Sequence, residues 1–314
     1  MLLAALLLMI GGVIFIMARM LLRPERMNDP RAAFVLKRLS PADLGMRFEP
    51  LKFRVRDEHT GGPLELAAWW IPCPDPSANG RCVILIHGYA DAKVGAIAWA
   101  PTWQSLGYHI LALDLRAHGE SPGSQSTAGF FERHDLNQVI NQLRVMRPHQ
   151  TRQLVLFGVS LGAAVALAAV AVRESPDDID ALVLECPYAN YRHAVLAHAE
   201  QMNMPAQTLQ PMAIRVAEWM SGARFNDVRP VELLRSVRCP VMLIQGGCDA
   251  FVPEEDMTAM EEAMKARTDP RSLYWRVDQA GHVTGICADP AEYRERLAAF
   301  LALAIPQRQP QPAC

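Results

Sequence analysis

The chain has 314 residues, 51% of them apolar and 20% charged, and a formal net charge of −2. That is ample length for a core in one large or two small domains, with the balance of an ordinary globular protein. No stretch interleaves Lys and Arg with aromatics, which argues against nucleic-acid binding. Seven widely spaced cysteines, with no C-x-x-C pair, argue against a disulfide framework or a zinc site and fit reduced thiols.

Residues 1–18, "MLLAALLLMIGGVIFIMA", carry no charged side chain. As a helix they span about 27 Å, and about 33 Å if extended to Leu22, close to the hydrocarbon thickness of a bilayer. We read 1–22 as a transmembrane anchor. The alternative, a cleaved signal peptide, lacks a basic leading region and a clear small-x-small cleavage site. Arg19, Arg23, Arg26, Arg31, Lys37 and Arg38 follow the span, which by the positive-inside rule places the rest of the chain in the cytoplasm.

Residues 23–50 read as a juxtamembrane connector punctuated by Pro24, Pro30, Pro41 and Pro50. "LKFRVRD" and "LELAAWWIP" flank "EHTGGP", a hairpin pattern. Apolar strands are expected at 82–88, 109–115, 153–158, 181–186 and 240–246, with a further strand at 272–278. Helices are expected at 92–106, 135–146, after 160, and at 254–266 and 290–304. Strands that are apolar throughout and alternate with helices predict an α/β fold: a mainly parallel sheet covered on both faces, with an antiparallel edge from the hairpin. The core is expected over 51–187 and 227–304. Residues 188–226, rich in Met and Ala, exceed what a crossover needs and read as a helical lid, or else as an extra packed helix pair. Met202, Met204, Met212 and Met220 would suit an adaptable apolar surface or an ordinary core. Residues 305–314 read as a disordered tail.

In such sheets ligands bind beyond the carboxyl ends of the strands. There "LVLFGVSLGAAVALAAV" holds G-x-S-x-G at 158–162, between an apolar strand and an apolar helix. A sharp turn of this kind lifts the Ser160 hydroxyl clear of the sheet, and the following helix N-terminus favours negative charge at the same point. A serine needs a base, and the base an orienting acid. Of nine histidines, His282 lies in a glycine-flanked loop, "DQAGHVTG", after the last strand; Asp249 lies in "QGGCDAFVP" after the strand at 240–246. Glu185, at the end of the strand 181–186, is the alternative acid, or else a residue at the hinge of the lid. Asp91 and Glu120 read as solvated loop residues.

The order Ser160, Asp249, His282, each after its own strand, resembles the α/β-hydrolase superfamily over roughly residues 50–304. Two further stretches carry the resemblance. "LIHGYAD" (85–91) is similar to the family's His-Gly oxyanion turn, which implies the backbone N–H groups of Tyr89 and Leu161 as the oxyanion hole and His87 as a brace. "LDLRAHGESPG" (113–123) is similar to its Asp-x-Arg-x-x-Gly-x-Ser turn, which implies structural roles for Asp114, Arg116 and His118. Within the superfamily the anchor, "LVLFGVSLGAA" and "RPVELLRSVRCPVMLIQG" together resemble membrane-anchored bacterial Bem46-like, monoacylglycerol-lipase-like and serine-aminopeptidase-like hydrolases.

The resemblance implies hydrolysis of a lipid-like or small acyl ester through an acyl-enzyme, with no metal and no organic cofactor. A peptidase or amidase on the same scaffold would need an acidic lid residue for the substrate amine, such as Glu200 or Glu218. A non-catalytic, hydrolase-like binding protein is the third reading.

Overall fold

The computed structural model describes residues 1–75, 80–175, 178–201 and 206–305. The chain opens with α1 (Leu2–Leu22), followed by a short helix α2 (Asp29–Val35) whose Asn28 side chain accepts from the Arg31 N–H. Strands β1 (Glu49–Arg56) and β2 (Pro63–Ile71) form the expected hairpin, paired Glu49 to Trp70 through Arg56 to Pro63. Next come β3 (Arg81–Ile86), α3 (Lys93–Ala96), α4 (Ala100–Ser105), β4 (His109–Leu113), α5 (Glu132–Met146), β5 (Gln153–Val159) and α6 (Leu161–Ala171). The helix expected over 92–106 is broken into α3, a 3₁₀ turn at Ile97–Trp99 and α4. The break falls where Pro101, which has no backbone N–H to give to a preceding turn, sits at the start of α4.

The chain continues through β6 (Ala181–Glu185), α7 (Tyr191–Gln201), α8 (Ala206–Ser221), α9 (Pro230–Ser236), β7 (Val241–Gly246), α10 (Glu254–Lys265), β8 (Leu273–Val277), α11 (Gly285–Ala288) and α12 (Pro290–Ala304). The eight strands form one sheet in the order β1-β2-β4-β3-β5-β6-β7-β8. β2 runs antiparallel to both its neighbours, and every pair from β4 to β8 is parallel. This is the α/β-hydrolase fold.

The central strands are buried on both faces, as their unbroken apolar runs require. One face packs α5, α6, α9 and α10 through Leu136, Leu167, Leu234 and Met260. The other packs α4 and α12 through Trp103, Leu297 and Phe300. Helix α6 is apolar all round and buried from Leu161 to Val170, so it is held by the core on every side.

Helices α7, α8 and α9 lie in the long excursion between β6 and β7. Met202 and Met204 lie outside the described residues, as does the tail from 306 onward. Met212 is exposed and Met220 packs at the edge of a small cluster. That cluster joins α8 to α1: Ala18 and Leu22 meet Ala217, Phe225 and Phe131.

Candidate active site

Ser160 occupies the turn between β5 and α6 with φ 51° and ψ −115°. A non-glycine residue at positive φ is strained and needs its surroundings to hold it. The two flanking glycines make the turn sterically feasible. A Cβ at Gly158 would lie 2.3 Å from the Gly162 carbonyl oxygen, and one at Gly162 would lie 2.2 Å from that of Ile86. The Ser160 N–H donates to the Glu185 carbonyl at 2.8 Å, which fastens the elbow to the end of β6.

Asp249 and His282 come together because the loops after β7 and β8 are bonded to each other. Gly247 N–H donates to Val277 O at 2.8 Å, and Cys248 N–H to Ala280 O at 2.9 Å. One Asp249 oxygen accepts the N–H groups of Phe251 and Val252 at 2.8 and 3.0 Å. The other accepts from His282 Nδ1 at 2.7 Å. A carboxylate can only accept, so a neutral ring keeps its proton on Nδ1 and its lone pair on Nε2. That is the tautomer a general base acting on a serine needs.

Ser160, Leu161, Tyr89 and His282 all line one cavity of about 350 Å³. Leu161 is the first residue of α6, where backbone N–H groups have no partner within the helix. Behind Tyr89, the His87 ring is fully buried. Its Nδ1 donates to Gly88 O at 2.7 Å and its Nε2 accepts from Leu115 N–H at 3.0 Å. Burial, with His118 alongside, holds the ring well below the usual imidazole range. It therefore braces the loop as a neutral ring.

The turn at 113–123 is bonded inward rather than into the cavity. The Asp114 carboxylate accepts from Lys93 Nζ at 2.6 Å and from the N–H groups of Lys93 and Glu120. Arg116 spans Asp135 at 2.6 Å and Asp57 at 2.9 Å. Glu120 pairs with the same lysine. Asp91 differs from a solvated loop residue. It is half-buried beneath Gly95 and accepts the Ala92 N–H at 2.8 Å, and burial pushes its carboxyl up to about 6.

Glu185 is neither the acid partner of His282 nor a hinge group. It is fully buried, accepting from Gly285 N–H at 3.0 Å and from the Tyr293 hydroxyl at 2.7 Å. Its backbone holds Ser160 while its side chain holds the segment just after His282. Burial raises its carboxyl above the usual range. Its position at the carboxyl end of a central strand was the signal; its partners lie a hundred residues away.

The cavity also holds residues that no local pattern marked. Met17, Met20 and Leu21 of α1, Arg23 and Glu25 between α1 and α2, His198 of α7 and Phe251 all line it. The His198 ring lies 4.6 Å from that of Phe251, which lies 5.2 Å from His282.

Among the described residues two groups of potential metal donors occur: Cys186 with Asp249 and His282, and His193 with Glu255 and Asp256. Hydrogen bonds account for both. Cys186 Sγ accepts the Val283 N–H at 3.3 Å beside the Asp249–His282 pair, and His193 Nδ1 meets Asp256 at 2.5 Å.

Strand order, elbow and loop sequence define the class of fold: this chain has the α/β-hydrolase fold. A model of the serine aminopeptidase S33 family matches residues 77–231, which include Tyr89, Ser160 and Leu161. The uncharacterized protein YqkD of Bacillus subtilis is 25% identical over 228 residues, 72% of either chain. The lysophosphatidylserine lipase ABHD12 of Danio rerio is 30% identical over 181 residues, 54% of this chain and 44% of that protein. The esterase Pf2001 of Pyrococcus furiosus superposes with a TM-score of 0.70 at 23% identity, covering 91% of this chain and 98% of that one. At that identity the likeness to Pf2001 speaks to the fold alone.

Proposed function

We propose that this chain hydrolyses carboxylic esters, with Ser160 as nucleophile, His282 as general base and Asp249 as the acid that orients it. The observation that carries the reading is the 2.7 Å bond from His282 Nδ1 to Asp249, with His282 and Ser160 lining the same cavity. Ser160 Oγ attacks the ester carbonyl carbon as its proton passes to His282 Nε2. The oxyanion is met by the N–H groups of Tyr89 and Leu161, each worth about 3 kcal/mol to the transition state. Collapse breaks the C–O bond, and the alcohol leaves with the proton from His282. Water, deprotonated by the same ring, then releases the acid and restores Ser160. Nucleophile, base, orienting acid and oxyanion donors in this sequence are all groups of the chain, and water is the second substrate.

An ester substrate is supported by the name of one of the similar proteins, a lysophosphatidylserine lipase. The mostly apolar wall favours a lipid-like acyl group over a charged peptide. For the amide reading, Glu218 is engaged in accepting the Phe225 N–H at 2.9 Å, and Glu25 at the cavity rim is ion-paired with Arg31 at 2.5 Å. One helix, Leu2–Leu22, is long and apolar enough to cross a membrane. We read it as a single-pass anchor, with the basic residues after it placing the catalytic domain on the cytoplasmic side. Helices α7 and α8 then form the lid.

The test is hydrolysis of p-nitrophenyl butyrate by the full chain in detergent. We expect turnover, its loss in Ser160→Ala, and labelling of Ser160 by a fluorophosphonate. A folded protein with neither turnover nor labelling overturns the hydrolase reading in favour of a binding protein.

A further inference from the structure

The helix that reads as the anchor is also a wall of the cavity. Met17 and Leu21 are half-buried against it, and Met20, 47% exposed, stands at its mouth. The contact is fastened at several points. The Tyr89 hydroxyl donates to Met20 O at 2.7 Å, and the Ser126 N–H to Leu22 O at 2.7 Å. Just beyond the helix, the Arg26 guanidinium donates to the carbonyls of Gly119, Ser121 and Gly123 at 2.9, 2.7 and 2.9 Å. Ala18 and Leu22 are fully buried against Ala217, Phe225 and Phe131. Span and catalytic domain are therefore joined without a free tether.

The outward surface of α1 is apolar up to the mouth. Val13, Phe15, Ile16 and Met20 are all exposed, a face that a bilayer would cover. Arg19 and Arg23 mark where that face ends, since arginines at the end of a span reach for the headgroup layer. On α8, packed against α1, Trp219 is 80% exposed at the same end, as suits a membrane–water boundary. If α1 spans a bilayer, this end of it would stand at the headgroup layer, near the depth of a membrane lipid's ester group, and Ser160 lines the same cavity as Met20. A cavity of about 350 Å³ is at the small end of ligand sites and suits one acyl chain.

Building on the ester-hydrolase reading, we propose that the last turns of α1 belong to the substrate site. Met17, Met20 and Leu21 form the acyl wall, and the substrate is a bilayer-resident ester whose chain slides in along α1 without passing through water.

The full-chain protein in phosphatidylcholine vesicles tests this, with p-nitrophenyl butyrate and dodecanoate as probes. Met20→Trp fills the mouth and is expected to lower the dodecanoate-to-butyrate ratio of kcat/KM about tenfold. Met17→Trp, a second obstruction of the same wall, should act in the same sense if Met20→Trp does not fold. Leu7→Trp, exposed on α1 and not among the cavity residues, should leave the ratio as in the parent. An unchanged ratio in both obstructing variants overturns the proposal, as does an equal fall in Leu7→Trp, which would trace to membrane seating. Fluorophosphonate labelling in the same preparation separates the two readings. Labelled, active protein with an unmoved ratio rejects only the α1 wall, whereas an unlabelled, inactive parent rejects the hydrolase.

Discussion

The Tyr89 hydroxyl donates to the backbone carbonyl of Met20 at 2.7 Å, so one residue ties the end of the apolar N-terminal helix to the loop that supplies a proposed oxyanion donor. Tyr89→Phe keeps the ring and the backbone N–H and removes only the hydroxyl, which donates to Met20 O and also reaches Leu21 O at 3.4 Å. A hydrogen bond of this kind is worth about 1 kcal/mol. We expect up to about tenfold lower kcat and faster amide exchange in the last turn of α1. Unchanged exchange would show that the bond does not hold the helix.

Asp249→Asn tests the tautomer argument. The amide oxygen can still accept from Phe251 and Val252, which turns its NH₂ toward His282 Nδ1. Two donors then face each other, and the ring is driven to place its proton on Nε2. A fall in kcat of about a thousandfold or more is expected, with little change in thermal stability. A loss below tenfold would remove Asp249 from the proposed triad.

Gly162→Ala should fail for a different reason. The added Cβ would meet the Ile86 carbonyl oxygen at 2.2 Å, and both are backbone-anchored. Opening that contact separates α6 from β3 and spoils the elbow. Unfolding by urea should show a loss of more than about 2 kcal/mol, together with lost labelling of Ser160. Retained stability would mean that the elbow is looser than its contacts indicate.

Asp91 gives the stability a pH dependence of definite sign. Its carboxyl sits at about 6 in the folded chain because burial disfavours the charge. In the unfolded chain it returns to about 3.9. Between those values the folded state binds more protons, so stability falls as pH rises from about 4 to about 6 and is level above, by at most about 1.4 kcal/mol per pH unit. Asp91→Asn keeps an acceptor for the Ala92 N–H and cannot ionise. Relative to the parent it should therefore be more stable at pH 7.5 than at pH 4.5, measured by urea midpoint. The same difference at both pH values would refute the assignment.

The parallel sheet was legible because its strands are buried on both faces and so carry unbroken apolar runs. Ser160, Asp249 and His282 could be picked out because each follows its own strand, and the fold gathers strand ends at one edge. What local patterns do not carry is contact across the chain. Met20 sits in an apolar run that looks the same whether the helix stands alone or forms part of a cavity, and its partner Tyr89 lies 69 residues on. Glu185 lay at the right strand end, yet its bonds to Gly285 and Tyr293 depend on how β6 and α12 meet. Asp91 looked solvated because charge in a loop is ordinarily exposed; only the packing above it, at Gly95, buries it.

The φ of 51° at Ser160 sets folding against the proposed chemistry at one residue. Glycine would occupy that conformation without strain, so Ser160→Gly should match or exceed the parent in melting temperature while losing turnover. A chain shaped by stability alone would have little reason to keep a side chain there. On the proposed function, the serine at the elbow is a cost carried by the whole fold for the sake of one oxygen atom.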